Sequence, residues 1–210
     1  RVLADLRRRG LPTVPMDEML EALRAGRAGR VVAITADDGY LDNLVEALPV
    51  FEAHGAPFTV YVAPGLTSGE TMPWWEVVEE LVASRDTVRL PLAGGAVEDI
   101  DCSGPRQKRA AVRRLMRHLS TEVAEEEQQD LLRRIGCVAG PVRRFMDWDE
   151  LRRLAAHPLA TLGAHTVHHC NVKRLPAEAA LAEMTESAAI IERETGLLPR
   201  HFAYPYGHAG

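Results

Sequence analysis

The sequence contains the stretch Ile34-Thr35-Ala36-Asp37-Asp38-Gly39-Tyr40, in which an apolar run ends abruptly in two adjacent carboxylates and a glycine. Val31 to Ile34 has the composition of a buried strand, so the acids lie where a strand ends and a loop begins. Open α/β sheets and barrels place their chemistry at this end of their strands. Two neighbouring carboxylates can both be ionised in a partly buried site only if a cation or hydrogen bonds compensate them. The stretch therefore predicts a partner elsewhere in the chain.

The composition indicates one globular α/β domain. The chain has 210 residues, of which 46% are hydrophobic and 26% are charged, so it is long enough for one sizeable core and short for two domains. The net charge is only -5, and the basic run from Arg106 to Arg117 is answered by acids such as Glu125-Glu126-Glu127. We therefore expect no surface dedicated to nucleic acid.

Neither a membrane span nor a disulfide framework is predicted. No apolar stretch approaches the ~20 residues that a spanning helix needs, and no signal-peptide pattern stands at the start. The chain opens on Arg1 rather than Met, so we expect that it has lost a preceding segment. Its cysteines are Cys102, Cys137 and Cys170, an odd number without CxxC spacing, which predicts free and mostly buried thiols.

The pattern around the two acids predicts a βαβ unit. A helix with Leu44, Leu48 and Phe51 on its inner face follows the acidic loop, and Phe58 to Val62 follows as a second strand. Strands joined by such a crossover helix run parallel. Two helices are expected upstream, over residues 1–9 and 16–27.

Residues from about 67 to 145 differ in character and are predicted to form an insertion. Residues 87–92 and 96–100 alternate around Gly94-Gly95 like a β-hairpin. The other elements expected here are helices, over about 73–85, 105–119 and 121–135.

The core pattern resumes at Asp147, which with Glu150 has the spacing of a capping box. A short strand over 159–163 leads into the segment that begins at His165, and a last strand is expected over 201–204. Between them the sequence predicts an amphipathic helix over about 176–194, with Leu181, Met184, Ala188 and Ile191 facing inward. Glu183 and Ser187 share another side of this helix, where they either face solvent or support the fold. Packing is the expected role of Trp74, Trp75 and Trp148, although their rings could stack on sugars.

A pair of histidines supplies the partner that the acids require. His165 and His169 are four residues apart and directly follow a strand, so in a helical turn both imidazoles would project to the same side and could bind one metal ion. One carboxylate from the opening stretch would complete a His/His/Asp set with open positions for water and substrate. His168, which lies between them, should point away from the metal.

The sequence resembles the NodB-like polysaccharide deacetylases at this point. Their first motif, Thr-Phe-Asp-Asp-Gly, corresponds to Thr35–Gly39, and their second, His-Ser/Thr-x-x-His, corresponds to His165–His169. A third, Arg-x-Pro-Tyr-like motif corresponds to Ala203-Tyr204-Pro205-Tyr206, so the likeness extends roughly from Val31 to Gly207.

The resemblance implies a role for each matched residue. Asp37 would be the catalytic base, while Asp38, His165 and His169 would hold a divalent metal ion, with Zn²⁺ expected first and Co²⁺, Fe²⁺ or Ni²⁺ as alternatives. The backbone N–H of Tyr206 would stabilise the oxyanion. Substrate contacts would come from the same loop, at Pro205 and Tyr204.

The sequence departs from the family pattern at three positions. Ala36 replaces a phenylalanine, and Cys170 stands where many relatives have proline. Ala203 replaces the arginine that pairs with the base, so Asp37 needs another cation. The region that carries the family's general acid is also absent, which predicts a C-terminally truncated domain. His201 and His208 flank the third motif, but hydrogen-bonded or exposed histidines are the expected reading of both.

The expected fold is α/β: a distorted, incomplete (β/α) barrel of the polysaccharide-deacetylase type, formed by residues 1–210 as one catalytic domain with an inserted hairpin and helices over 67–145. The expected function is metal-dependent removal of N-acetyl, or less favoured O-acetyl, groups from a glycan such as a chitooligosaccharide or an exopolysaccharide. Two alternatives stay open: hydrolysis of a non-glycan C–N bond of an amide, imide or ureide on the same fold, and a catalytically silent glycan-binding domain. The glycan chemistry points to the bacterial cell envelope, whereas unpaired cysteines fit the cytoplasm; the oligomeric state is not predicted.

Overall fold

The computed structural model describes residues 1–26, 29–138 and 144–206. They form two compact units, one from the described residues of Arg1–Glu70 and Arg143–Gly210 and the other from those of Thr71–Val142. The organisation as a single catalytic domain with an insertion over 67–145 stays a prediction. The helices and strands are, in chain order, α1 Val2–Arg8, α2 Met16–Arg24, β1 Ile34–Ala36, α3 Leu48–His54, β2 Phe58–Val62, α4 Pro64–Ser68, α5 Trp74–Ser84, β3 Thr87–Pro91, β4 Val97–Asp101, α6 Pro105–Arg117, α7 Gln128–Ile135, α8 Trp148–Ala155, β5 Ala160–Ala164 and α9 Ala177–Thr195.

A three-stranded parallel sheet organises the first unit, with strand order β1-β2-β5. The parallel pairing of β1 and β2 confirms the predicted βαβ unit. The first strand is displaced from its predicted position, because it begins at Ile34 rather than Val31. Val32 instead forms a parallel bridge with Thr13, in which its N–H donates to Pro12 O and its O accepts from Val14 N, both at 2.9 Å.

One face of the sheet carries the core of the first unit. Phe58, Val60 and Val62 alternate onto one face and pack with apolar residues of α8 and α9 in the core of this unit. Leu44, Leu48 and Phe51 pack against the same core, as the sequence predicts, although the first part of their helix, Asn43–Ala47, is a π-helical turn.

The long helix α9 differs in part from the predicted amphipathic pattern. Ile191 is fully buried and Ala188 packs against the core, but Leu181 is 61% exposed, so its predicted inward position is wrong. Ser187 is fully buried and the Glu183 side chain is only 17% exposed. Both residues therefore support the fold rather than face solvent.

The described residues of the second unit form a hairpin and the helices α5, α6 and α7, as the sequence predicts. β3 and β4 pair antiparallel, from Thr87↔Asp101 to Pro91↔Val97, around the turn at Gly94-Gly95. The carboxyl end of its helix α5 is capped by the Lys108 ammonium, which donates hydrogen bonds of 2.7–2.9 Å to the carbonyls of Val82, Ala83 and Arg85. The predicted helix over 121–135 is shorter, because a 3-10 turn at Glu125–Glu127 precedes α7.

The fold is α/β, and the described part of the chain contains an open sheet rather than a closed barrel. This agrees with the predicted distorted and incomplete barrel. Residues 201–204 contribute only a parallel bridge between Phe202 and Ala164, where a strand was expected. No helix among the described residues combines the length and apolar character that crossing a membrane requires.

Candidate metal centre

The two acids lie in a tight turn at the carboxyl end of β1. Asp38 has φ 70° and Gly39 has φ 75°, and the Gly39 N–H donates to Asp37 O at 2.9 Å. Gly39 O in turn accepts from Met146 N at 2.9 Å, which ties the turn to the start of α8. The two carboxylates end in different environments, since Asp37 is exposed while the Asp38 side chain is 15% exposed.

The two histidines lie in an irregular loop that follows β5. The sequence predicted a helical turn here, but Thr166 has φ 60° and His169 has φ 53°, which interrupts any helix. The buried Thr166 hydroxyl bridges the loop, because it donates to His165 O at 2.6 Å and accepts from Cys170 N at 3.2 Å. The loop therefore brings both imidazoles together through an irregular backbone and not through the predicted helical turn.

Asp38, His165 and His169 converge on one point. Asp38 Oδ1 lies 3.5 Å from His165 Nε2 and 3.2 Å from His169 Nε2. One ligand atom from each of the three residues lies within 4.8 Å of the others. Among the described residues, no other cluster of three or more His, Cys, Asp or Glu side chains comes this close together.

The chemistry of these atoms fits a bound cation. His165 Nδ1 lies 2.9 Å from Ala203 O, and since a carbonyl only accepts, Nδ1 carries the proton and Nε2 presents a lone pair. Burial, and then the neighbouring His169, lower the pKa of His165, so its imidazole is neutral near pH 7. Asp38 Oδ1 is buried and accepts no hydrogen bond among the described residues. A carboxylate oxygen that faces the lone pair of His165 Nε2 in this way would be stabilised by a divalent ion between them.

The third motif lies beside the histidines. The bridge to β5 places Ala203, whose N–H donates to Ala164 O at 3.0 Å, next to His165. Tyr206 has φ 68°, and its ring lies edge-on to His169 with 5.1 Å between ring centroids. Tyr204 is 57% exposed and accessible to a ligand, whereas Pro205 is buried.

His201, which precedes this motif, lies beside an acid of α2. The His201 side chain is 7% exposed, and its Nε2 lies 3.1 Å from Asp17 Oδ1, so it is largely buried beside an acid. His208 lies outside the described residues.

Sequence reasoning did not assign Glu183 to the site. Its Oε2 accepts from the N–H groups of Val167 at 2.8 Å and His168 at 3.0 Å, and its Oε1 lies 2.6 Å from His168 Nδ1. Burial raises the pKa of Glu183, but the hydrogen bonds from His168 and Val167 outweigh it and hold the pKa below its ordinary value. The bond to Glu183 raises the pKa of His168 despite partial burial. These contacts join residues 15 and 16 positions apart, so no local sequence pattern indicated them.

Tyr61 is a second residue that sequence reasoning missed. It lies on β2 opposite Gly163, and its ring centroid is 6.5 Å from that of His165. Burial, and then the charge of Asp37, raise the pKa of its phenol. Strand alternation places Tyr61 on the sheet face opposite Val60 and Val62, which could have indicated its position.

A family model and solved structures resemble this chain. Residues 116–210 match the model of the family described as polysaccharide deacetylase, a range that includes His165, His169 and Tyr206 and excludes Asp37 and Asp38. A search of curated proteins found no significant match.

Three similar solved structures illustrate the likeness, and two of them are described as deacetylases. The deacetylase domain of BpsB from Bordetella bronchiseptica is 18% identical, with TM-score 0.53, and the match covers 100% of this chain and 69% of that one. The Streptococcus pyogenes deacetylase PplD, in complex with acetate, is 16% identical with TM-score 0.57, covering 99% and 61%. IcaB from Ammonifex degensii is 20% identical with TM-score 0.53, covering 99% and 65%. The chain thus spans about two thirds of the length of these structures, and at such identities the likeness is one of fold. Together with the family match, it confirms the resemblance to polysaccharide deacetylases.

Proposed function

We propose that this chain carries the catalytic site of a metal-dependent hydrolase that removes N-acetyl groups, or less favoured O-acetyl groups, from a glycan. The observation that carries the proposal is the convergence of Asp38 Oδ1, His165 Nε2 and His169 Nε2 beside the exposed Asp37. The family match over residues 116–210 supports an acetylated polysaccharide or oligosaccharide as the substrate class.

The metal would be held by Asp38, His165 and His169. A divalent ion bound there would polarise the acetyl carbonyl and activate a water molecule. Zn²⁺ suits a His/His/carboxylate set with open positions, and Co²⁺, Fe²⁺ or Ni²⁺ suit it as well. The hydrogen bond from His165 Nδ1 to Ala203 O fixes the tautomer and the ring orientation that this role needs.

The remaining chemistry would fall to two residues next to the ligands. Asp37 precedes the ligand Asp38 and is exposed, so its carboxylate can accept a proton from an attacking water molecule. The backbone N–H of Tyr206 would donate to the oxyanion that forms on the acetyl oxygen. Tyr204, which is exposed beside them, would contact the sugar, and Pro205, which is buried, would hold the loop instead of making the predicted substrate contact.

Acetate release from N-acetylated oligosaccharides, with and without a chelator, tests this proposal. The untreated protein should release acetate, and the chelator should abolish the release until Zn²⁺ or Co²⁺ is restored. Activity that survives complete metal removal would contradict the proposal. Release of product from small amides or ureides, but not from acetylated sugars, would favour the alternative C–N hydrolase. Sugar binding without any acetate release would favour a catalytically silent glycan-binding domain. Ala203 supports this alternative, because it stands in place of the arginine that pairs with the base in the family.

Variants of the two acids separate their roles. Asp38→Ala removes a proposed ligand and should lower metal affinity by more than about 100-fold, since even outer-shell partners of ligands are worth about 10–100-fold. Asp37→Asn should keep the metal and lower kcat by about 10²–10⁴-fold, the usual contribution of a general base. An active Asp37→Asn variant would refute the role of that residue.

A further inference from the structure

The loop between the two histidines is held by an acid from a distant part of the chain. Val167 and His168 lie between His165 and His169, and the backbone N–H groups of both donate to the same oxygen of Glu183, at 2.8 and 3.0 Å. The other carboxylate oxygen accepts from the His168 ring at 2.6 Å. The Glu183 carboxylate thus binds the N–H groups of two consecutive residues and the ring of the second, His168.

The loop itself offers little regular structure to fix the histidines. Thr166 and His169 both adopt positive φ, a conformation that costs a non-glycine residue of order 1 kcal/mol or more. Besides Glu183, the segment is held by the Thr166 hydroxyl and by the Gly65 N–H, which donates to Val167 O at 2.8 Å. Glu183 therefore holds the N–H side of a peptide whose carbonyl is held by Gly65.

Glu183 is carried by a helix that packs into the core. Glu183 belongs to α9, which packs into the core through Ile191, a residue with no exposed surface. Its side chain is only 17% exposed, and a buried carboxylate is stable only when its oxygens accept hydrogen bonds. The contacts therefore connect the loop directly to the packed core.

We propose that Glu183 is a positioning residue that holds the loop in the conformation in which His165 and His169 face Asp38. The inference rests on the metal site of the proposed function. Asp38 is fixed by its own turn on β1, so the position of the loop sets the geometry of the other two ligands. Removing the carboxylate leaves two backbone N–H groups without their acceptor and frees the loop to move away from Asp38.

The affinity of the folded protein for Zn²⁺ and Co²⁺, measured by competition with a chelator, tests this proposal. Glu183→Ala should weaken the affinity by about 10–100-fold, the range typical of outer-shell partners, and should change the visible spectrum of bound Co²⁺. Glu183→Gln keeps a carbonyl oxygen at the same reach and should restore the affinity to within about threefold of the wild type. Glu186→Ala is the matched control, since Glu186 is exposed on the same helix and the variant should bind like the wild type.

The outcomes distinguish this proposal from the one on which it rests. Wild-type protein that binds neither ion would refute the metal site itself. Wild-type binding together with unchanged affinity and an unchanged Co²⁺ spectrum in folded Glu183→Ala would overturn the positioning role alone, even if that variant were less stable. Equal losses in Glu183→Ala and Glu186→Ala would also overturn it, because the effect would then be one of charge.

Amide hydrogen exchange provides a second measurement if Glu183→Ala does not fold. In the metal-free wild type, the Val167 and His168 amides should be protected, because both donate to Glu183. Exchange of both amides at the rate of an open chain would overturn the proposal without any variant.

Discussion

Asp38, Thr166, His169 and Tyr206 share a backbone conformation that residues other than glycine rarely adopt. Their φ values are 70°, 60°, 53° and 68°, and no other non-glycine residue among those described has a positive φ. Each is a proposed ligand, lies between the ligands or carries the proposed oxyanion donor. Strain of this kind persists only where the surroundings hold it, and it is concentrated at functional sites. The local geometry of these residues is thus consistent with the proposed site.

Gly39 allows a test of the turn that carries the acids. Its φ of 75° suits glycine, and an added Cβ would meet only Val62 side-chain carbons at 3.7–3.8 Å, which is ordinary contact. Gly39→Ala should therefore cost about 1–2 kcal/mol of stability through the backbone alone. It should also weaken Zn²⁺ binding, because it strains the residue next to Asp38.

A second glycine serves as the control for this variant. Gly55 also has positive φ, 59°, at the end of α3, with nothing within 4 Å of an added Cβ. Gly55→Ala should cost a similar free energy of unfolding and leave Zn²⁺ affinity unchanged. Denaturant unfolding and chelator competition measure the two effects; a loss of metal affinity in both variants, or in neither, would show that the Gly39 turn does not govern the site.

Cys137 predicts a specific loss of stability at alkaline pH. Burial raises the pKa of its thiol from 9.0 to about 11, although Arg85 acts in the opposite direction. Between these values the unfolded chain releases the proton and the folded chain retains it, so the contribution of Cys137 to stability is complete below about pH 9 and is lost as the pH rises towards 11. The difference in free energy of unfolding between wild type and Cys137→Ala should therefore shrink over this interval. A constant difference would mean that the thiol titrates normally in the folded state.

Among the elements, those with a strong hydrophobic periodicity and clear boundary residues were predictable from the sequence. The β1-β2 unit, the hairpin β3-β4 and the capping box of α8 follow local patterns, and the structure confirms all three. The start of β1 was not predictable from local patterns, because Val32 pairs with Thr13. The exposure of Leu181 was not predictable either, because the packing of α9 depends on tertiary neighbours.

The sequence predicted that Asp38, His165 and His169 would lie together, which the structure shows, but it did not predict the backbone geometry that brings them together. The spacing of His165 and His169 indicated a shared ligand position, yet the loop reaches it through positive φ at Thr166 and His169 rather than through a helical turn. Glu183 was missed because its contacts join residues 15 and 16 positions apart, a distance at which no local period gives a signal.

Strand β5 is packed tightly against β2 next to the site. A Cβ added to Gly163 would clash with Tyr61 Cδ1 and would lie 3.2 Å from His201 O, so the ring or the backbone would have to move. Gly163→Ala should therefore destabilise the protein by about 1–3 kcal/mol, as overpacking usually does. Thermal or denaturant unfolding measures the loss.

A double-mutant cycle identifies the source of this clash. In a Tyr61→Ala background the ring is absent, so Gly163→Ala should cost less, with a coupling of about 0.5–3 kcal/mol. Purely additive costs would show that the ring is not the obstacle and that His201 O or the strand backbone is.

For the molecule as a whole, the proposed site predicts that metal and stability are linked. An ion that binds only the folded protein stabilises it by about 2.7 kcal/mol when present at 100 times its Kd. For a chain of 210 residues this corresponds to a rise in the unfolding midpoint of about 5–10 °C. Zn²⁺ should raise the midpoint of metal-free protein accordingly, and excess chelator should reverse the rise. Asp38→Asn should show neither effect, and an equal rise in that variant would place the stabilising ion elsewhere.

The order of strands in the parallel sheet has a consequence for folding kinetics. β2 ends at Val62 and its neighbour β5 begins at Ala160, so their pairing closes a loop of roughly 100 residues, whereas β1 and β2 are separated by about 20. Each doubling of loop length adds about 0.6 kcal/mol of closure entropy, and sheets with such distant pairings fold slowly. Most of this loop is the unit Thr71–Val142, which has its own hairpin and buried residues. If that unit condenses first, it shortens the effective loop, and the last event in forming the sheet is the docking of β5, which carries both histidines to Asp38.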